Sequence, residues 1–202
     1  MPTRRRDRRQ ELEARAFTQD GFFTSAQALE AGYTYQAQKY HVDSGNWERV
    51  GRGLFRFPNW PEGPDDQYVF FMLWSHGLGV LSHETALSVH QLSDVDPVKI
   101  HMTVPEGFRA KDPALVLHTC QLPEADVEEH EALRVTTLLR TLADVAASDL
   151  AQEHINKAVM DALEQGKVTR RSILQRSDKL DDHAALRLER ALATALEGNG
   201  HV

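Results

Sequence analysis

The first sixty residues alternate short apolar repeats with glycines, a pattern typical of short helices joined by tight turns. One helix is predicted over residues 8–19, and a second begins at Thr24 or Ser25, both of which are suitable N-caps. Thr34 is the N-cap of a third predicted helix, which Gly45 ends. Two short helices joined by a tight glycine-containing turn form a helix-turn-helix unit.

A short hairpin is predicted directly after this unit. Residues 47–50 and 54–57 alternate around a Gly-Arg-Gly turn at 51–53, which is the pattern of two paired strands. A basic hairpin that follows a helix-turn-helix is a wing. Residues 58–66 are rich in proline, glycine and acidic side chains, so we place a linker and a domain boundary there.

The remainder of the chain mixes strands and helices and then becomes helical. The apolar patterns predict two helices, at residues 68–74 and 83–91. Three strands follow at 99–104, 115–120 and 133–135, and a further helix at 137–147. We therefore expect an α+β fold with three parts. These are a winged helix-turn-helix over residues 1–60, a mixed α/β middle domain over 66–148 and a helical C-terminal segment over 149–202.

The charge is distributed unevenly along the chain. The whole sequence carries a net charge of −7, but residues 1–60 hold ten Lys or Arg against seven Asp or Glu, which is +3 and leaves −10 for the rest. A basic head on an acidic body favours duplex DNA as the partner of the head. No apolar run is long enough to span a membrane and no export signal is visible, so we expect a cytoplasmic protein without a membrane partner.

The second helix of a helix-turn-helix lies in the major groove, where its outward side chains read base edges. Ala37 and Val42 are expected to face the core. Gln36 suits an adenine edge, and a helix N-terminus such as that at Thr34 suits a phosphate. The basic N-terminal run is expected to act as an arm along the backbone or in the minor groove. The predicted DNA-binding set is Arg4, Arg5, Arg6, Arg8, Arg9, Ser25, Thr34, Tyr35, Gln36, Lys39, Tyr40, Arg49, Arg52 and Arg56.

Two alternatives remain open at this point. In the first alternative, the three-helix unit or the acidic body is a protein-interaction module that binds another protein. An enzyme is the weaker alternative, because His83-Glu84 lacks the second histidine of a zinc helix and Asp94 and Asp96 lack the preceding turn of a nucleotidyltransferase. The histidines are interpreted as buried or capping residues. The sequence thus predicts no catalytic residue, no metal ligand and no cofactor.

Four segments resemble the AbiEi family of antitoxins. They are residues 23–27 (FTSAQ), 45–56 (GNWERVGRGLFR), 82–92 (SHETALSVHQL) and 137–144 (TLLRTLAD). The resemblance implies the antitoxin of a type IV toxin–antitoxin pair, a repressor that binds repeats in its own promoter. It also implies a nucleotidyltransferase toxin as partner. A stand-alone regulator that kept the fold is the other possibility, since this chain ends in helices and some longer relatives carry a nuclease-like domain there.

Overall fold

The computed structural model describes residues 3–130 and 132–198, and the chain divides into two compact units. The first unit runs to Leu78, and the second begins at Gly79 and takes nearly all of the remainder. The division therefore lies after the helix that follows the linker, and not in the 58–66 segment where the sequence placed it. The physical reason is that this helix packs against the first strand of the N-terminal sheet.

The first unit has the winged helix-turn-helix fold that the sequence predicted. Its elements are α1 (Thr3–Phe17), β1 (Phe22–Thr24), α2 (Ser25–Glu30), α3 (Tyr35–Asp43), β2 (Glu48–Gly51), β3 (Leu54–Arg56) and α4 (Asp66–Trp74). The strands form an antiparallel sheet in the order β1-β3-β2. The wing is the hairpin of β2 and β3.

Side-chain caps fix where the two short helices begin. The Thr24 hydroxyl accepts a hydrogen bond from the Gln27 amide at 3.1 Å, and the Gln27 side chain accepts one from the Thr24 amide at 2.8 Å. This reciprocal capping box satisfies two backbone donors that the first turn leaves unpaired. The Thr34 hydroxyl accepts a hydrogen bond from the Ala37 amide at 3.2 Å and so begins α3. Both N-cap predictions are confirmed.

An aromatic cluster holds the first unit together. The ring of Phe23, which is fully buried, packs edge-on against Trp47 at 4.9 Å and lies 5.0 Å from Phe57. Leu12 and Ala16 of α1 and Phe55 of the wing complete the same buried cluster. The helix-turn-helix and the wing therefore share one core, which fixes the wing relative to α3.

The second unit is a five-stranded mixed sheet with helices. Its elements are β4 (Val80–Leu81), α5 (His83–Val89), β5 (Ile100–Val104), β6 (Leu115–Thr119), a 3-10 helix (Glu124–Asp126), β7 (Val127–His130), β8 (Leu133–Thr136), α6 (Leu138–Ala146), α7 (Gln152–Glu164), α8 (Arg170–Ser177) and α9 (Asp182–Gly198). The strand order is β6-β5-β4-β8-β7. β4 is antiparallel to β5 and parallel to β8, while β5 and β6 are parallel. The fold class is α+β, as predicted.

The C-terminal helices belong to the core of this unit. Ile155 of α7 and Leu188 of α9 are fully buried in the same cluster as Leu87 of α5 and Leu142 of α6. As far as residue 198, the segment after residue 149 is helical as predicted, but it packs with elements of the middle region. Among the described residues, no helix combines the length and the apolar character needed to cross a membrane.

Candidate nucleic-acid interface

The outer face of α3 carries four of the predicted DNA-binding side chains. Tyr35 and Tyr40 are 70% and 62% exposed, although large aromatic side chains are usually buried in part. Gln36 and Lys39 are exposed on the same face, as the i, i+1, i+4, i+5 spacing requires. The Lys39 ammonium lies 3.6 Å from the Asp43 carboxylate in an exposed pair, which costs little to open. This face therefore offers two aromatic rings, an amide and a cation to a partner.

The inner face of α3 is anchored by a residue that the sequence analysis did not place in the core. Gln38 is 3% exposed. Its amide oxygen accepts a hydrogen bond from the Ser25 hydroxyl at 2.6 Å, and its amide nitrogen donates to the carbonyls of Ser25 and Tyr33 at 3.1 and 3.3 Å. These three bonds hold α3 against the start of α2. Val42 is half-buried and packs against the core cluster, as expected, and Ala37 is half-buried as well.

Ser25 is half-buried and serves the scaffold. Besides its hydroxyl bond to Gln38, its amide donates to the Gly53 carbonyl at 2.8 Å, so it joins the start of α2 to the turn of the wing. Ser25 stands in the predicted DNA-binding set. Its hydroxyl donor is instead used to position α3.

The wing presents two arginines to solvent. Arg52 lies in the turn between β2 and β3 and is exposed, and Gly53 beside it has φ +71°, a conformation that favours glycine. Arg49 is also exposed, and its guanidinium carbon lies 5.8 Å from the centre of the Phe55 ring. Both cations extend from the paired strands and turn of the wing, a placement suited to phosphate contacts.

Arg56 was predicted to bind DNA with the other wing arginines, and the structure places it inside the unit. Its Nη2 lies 2.6 Å from the Asp66 Oδ2, and the two side chains are only 12% and 18% exposed. The guanidinium also donates to the Pro61 carbonyl at 3.0 Å and lies 4.5 Å from the centre of the Phe22 ring. Arg56 therefore links the end of β3 to the start of α4 and is not available as a free phosphate ligand.

The N-terminal arginines are part of a helix and not of an extended arm. α1 begins at Thr3, five residues before the predicted start, because Arg, Gln and Glu are good helix formers and no breaker interrupts the run. Arg8 and Arg9 are exposed on this helix, and the Arg9 Nε lies 2.6 Å from the Glu13 Oε1. This pairing with Glu13 raises the pKa of Arg9. The side chains of Arg4, Arg5 and Arg6 lie outside what the structure describes.

Three histidines gather in the second unit. The rings of His83 and His118 stack at 3.5 Å, and the His118 Nε2 lies 3.2 Å from the His101 Nδ1. Burial, with the neighbouring imidazoles, lowers the pKa of His83 to about 3 and that of His118 to about 4, so both are neutral at physiological pH. Within residues 3–130 and 132–198, no group of three or more His, Cys, Asp or Glu is arranged to hold a metal ion.

His90 and Asp94 each contact another part of the second unit. His90 is buried, and its Nε2 lies 2.7 Å from the Thr136 carbonyl. Asp94 is exposed in the irregular segment after α5, and its Oδ1 lies 3.2 Å from the His154 Nδ1. The buried position of His90 agrees with the interpretation of the histidines as buried or capping residues.

The comparison with protein families bears on the surface formed by α3 and the wing. Residues 9–58 match the family model described as "Transcriptional regulator, AbiEi antitoxin". The N-terminal segment is similar to an AbiEi-type regulator domain. The match ends two residues after β3, so it contains both the helix-turn-helix and the wing. The matched family is one of transcriptional regulators and antitoxins, which are generally without enzymatic activity, and the match supports a DNA-binding regulator role for this segment.

The fold beyond this domain also has a counterpart among solved structures. The crystal structure of the RV2827C protein from Mycobacterium tuberculosis is similar to the chain, with a TM-score of 0.61 and 14% sequence identity. The similarity covers 91% of this chain and 75% of that one. At this identity the likeness establishes a shared fold. A search of curated proteins found no match to the chain.

Proposed function

We propose that the protein is a sequence-specific transcriptional repressor that binds repeats in its own promoter through α3 and the wing. The observation that carries the proposal is the combination of Tyr35, Gln36, Lys39 and Tyr40 on one exposed face of α3 with the exposed Arg49 and Arg52 of the wing. The face of α3 supplies groups for base edges, and the wing supplies charge for the backbone. Both elements are held by the core around Phe23 and Trp47, so their spacing is fixed before DNA binds.

The four side chains on α3 have distinct chemical roles. Gln36 offers an amide oxygen and an amide NH₂ that match the N6 and N7 edge of adenine, worth about 1–3 kcal/mol of discrimination against a wrong base. Lys39 reaches a guanine edge or a phosphate. The two tyrosine hydroxyls donate to phosphates, and their rings pack against thymine methyl groups. Thr34 lies at the start of α3, where a phosphate is favoured.

We also propose that the repressor is the antitoxin of a type IV toxin–antitoxin pair whose partner is a nucleotidyltransferase toxin. The resemblance to AbiEi antitoxins supports this pairing, and the net charge of −10 outside residues 1–60 supports a partner-binding role for the acidic remainder. Charged surfaces of this kind steer association with a basic partner. Autorepression and the toxin partner are separate claims and need separate tests.

Fluorescence anisotropy with the full chain tests the repressor. The protein is titrated with a labelled duplex from its own upstream region and with a scrambled duplex of the same length, each at two salt concentrations. We expect at least about 10³-fold preference for the upstream duplex, as specific readers usually show. Weak, equally salt-sensitive binding to both duplexes would remove the operator-reading role.

The acidic remainder also supports a second candidate, in which the chain acts mainly by binding another protein. A pull-down from the source cell, followed by measurement of the DNA retained, separates the two. One dominant protein partner without retained DNA favours the second candidate. Retained upstream DNA favours the repressor, and a co-purified nucleotidyltransferase would support the toxin–antitoxin pair.

A further inference from the structure

The first unit contains a cavity of about 530 Å³ on its surface, beside α1. Its walls come from α1, from the turn that follows α3 and from the segment that follows the wing, and they include Arg9, Glu13, Phe17, Asn46, Asn59 and Trp60. The volume lies in the range of small-molecule sites, which is about 300–1,000 Å³. None of these residues belongs to the outer face of α3 or to the tip of the wing, so the cavity is distinct from the proposed DNA surface.

Two aromatic rings form the apolar part of the cavity. Trp60 packs directly on the backbone at Gly21, where a side-chain carbon would come within 2.3 Å of the indole Cγ. Gly21 also has φ +81°, so glycine is required there for both reasons. The Phe17 ring lies 5.9 Å from the Trp60 ring at 78° and is 73% exposed. The indole and the exposed phenyl ring thus form an aromatic corner that can contact the face and the edge of a planar molecule.

The polar part of the cavity contains both donors and acceptors. Arg9, Glu13 and Phe17 recur every four residues and share one face of α1. The Arg9–Glu13 pair is exposed, with side chains 75% and 40% accessible, so a ligand can replace the contact at little cost. Asn46 and Asn59 each bring an amide, which donates and accepts side by side. The guanidinium, the carboxylate and the two amides together match a heteroaromatic ring that carries hydrogen-bond donors and acceptors alternately along its edge.

The cavity also contacts the ends of both proposed DNA-binding elements. Gly45 and Asn46 immediately follow α3 and its C-cap Ser44, and residues 57–60 immediately follow β3 of the wing. The Asn46 and Trp47 amides both donate to the carbonyl of His41 within α3, at 2.9 and 3.1 Å. Asn46, which lines the cavity, is thus hydrogen-bonded directly to the last turn of α3.

We propose that this cavity binds a planar heteroaromatic molecule of the nucleoside class and that its occupation changes the affinity of α3 and the wing for DNA. The base stacks on the exposed Phe17 ring and meets the Trp60 ring, which stands at 78° to it, with its edge. Its polar edge bonds to Arg9, Glu13 and the two asparagine amides. The regulatory half of the proposal rests on the proposed DNA-binding function, whereas ligand binding does not.

Isothermal titration of the full chain, without DNA, tests ligand binding. The probes are guanosine and adenosine, with ribose and benzyl alcohol as comparison compounds that lack the base edge. We expect at least one nucleoside to bind, and neither comparison compound. Phe17→Ala should weaken that binding about tenfold through lost stacking. Leu186→Ala, a matched truncation of an exposed leucine on α9, should leave it unchanged. Absence of heat with both nucleosides, or equal binding by Phe17→Ala and wild type, would overturn the site.

Anisotropy with the upstream duplex, with and without the bound nucleoside, tests the regulation. We expect the DNA dissociation constant to change at least about fivefold, the lower end of usual coupling between sites. At a nucleoside concentration near the wild-type dissociation constant the change should be much smaller in Phe17→Ala than in wild type, because a tenfold weaker site is then mostly empty. An unchanged constant with a saturated cavity would overturn the regulatory half and leave DNA binding intact. Loss of DNA binding under all conditions would count against the repressor, while the titration without DNA still decides the site.

Discussion

Arg56 and Asp66 form an ion pair at 2.6 Å that joins the last residue of the wing to the first residue of α4, with both side chains mostly buried. This pair makes α4 a structural part of the N-terminal unit. It also removes Arg56 from the set of DNA-binding residues, because its donors are directed to Asp66 and to backbone carbonyls.

Arg56→Met should therefore destabilise the fold more than it affects the DNA contact. The change leaves the Asp66 carboxylate without its cation, and the Oδ1 of Asp66 is already buried without a hydrogen-bond partner in the described part of the chain. We expect a loss of about 3 kcal/mol, at the lower end of the range for broken buried pairs. Urea unfolding measures it. If Arg56→Met keeps the wild-type free energy of unfolding but weakens DNA binding, Arg56 contacts DNA and the assignment to the fold is wrong.

Arg52→Ala should weaken binding to the upstream and the scrambled duplex alike. Arg52 is exposed at the tip of the wing, and a single phosphate contact there contributes about one unit to the slope of log K against log salt. Anisotropy titrations at several salt concentrations give this slope. Arg171→Ala, which removes the same charge from an exposed position in the second unit, is the matched control. Equal slopes for the three proteins would exclude a phosphate contact at Arg52.

Gln38→Leu should lower the stability of the first unit although it replaces a polar residue by an apolar one. The amide makes three hydrogen bonds to the half-buried residues Ser25 and Tyr33, and its loss removes a donor from each of their carbonyls. We expect a loss of about 1–3 kcal/mol. Urea unfolding checks the value, and Gln36→Leu on the exposed face of the same helix is the control. Equal effects of the two changes would show that the Gln38 network does not contribute.

Protein stability should fall as the pH falls from 6.5 towards 4. Burial lowers the pKa of His83 to about 3, so in this window the unfolded chain takes up a proton that the folded protein does not. Asp144 acts in the opposite direction, because burial raises its pKa to about 6 and its folded form binds a proton between pH 6 and its ordinary value. Comparison of wild type with a His83 variant cancels the contribution of Asp144.

His83→Asn is the suitable variant. His83 has φ +52°, and asparagine tolerates this conformation better than most residues. The free energy of unfolding, measured by urea at pH 7, 6 and 5, should fall less steeply in the variant than in wild type. Parallel curves would show that His83 titrates normally in the folded protein.

Local signals determined much of the fold in advance. Helices α2 and α3 begin at the N-caps Thr24 and Thr34. Gly45 follows the end of α3 and Gly53 lies in the turn of the wing, both with positive φ. These signals are local, so they can be recognised in the sequence without knowledge of tertiary contacts. Strands β4 and β7 were not predicted. β4 has two residues, and β7 reads Val-Glu-Glu-His, so neither carries an alternating apolar pattern.

Tertiary contacts explain the remaining differences. Gln38 is polar but buried, because its partners come from the neighbouring helix and from Tyr33. Arg56 resembles Arg49 and Arg52 in the sequence, yet Asp66 ten residues later decides its position. The cavity around Phe17 and Trp60 joins residues from three segments, and no motif in the sequence connects them.

The central claim is that the outer face of α3 reads base sequence. It is tested most directly by the preference of Gln36→Ala/Lys39→Ala for the upstream over the scrambled duplex, measured by anisotropy at one salt concentration against wild type. Both residues are exposed, so the fold should be kept. We predict that the preference for the upstream duplex falls at least about tenfold, because one bidentate base contact is lost. The affinity for the scrambled duplex should fall only by the contribution of one phosphate contact, that of Lys39. An unchanged preference would contradict the account.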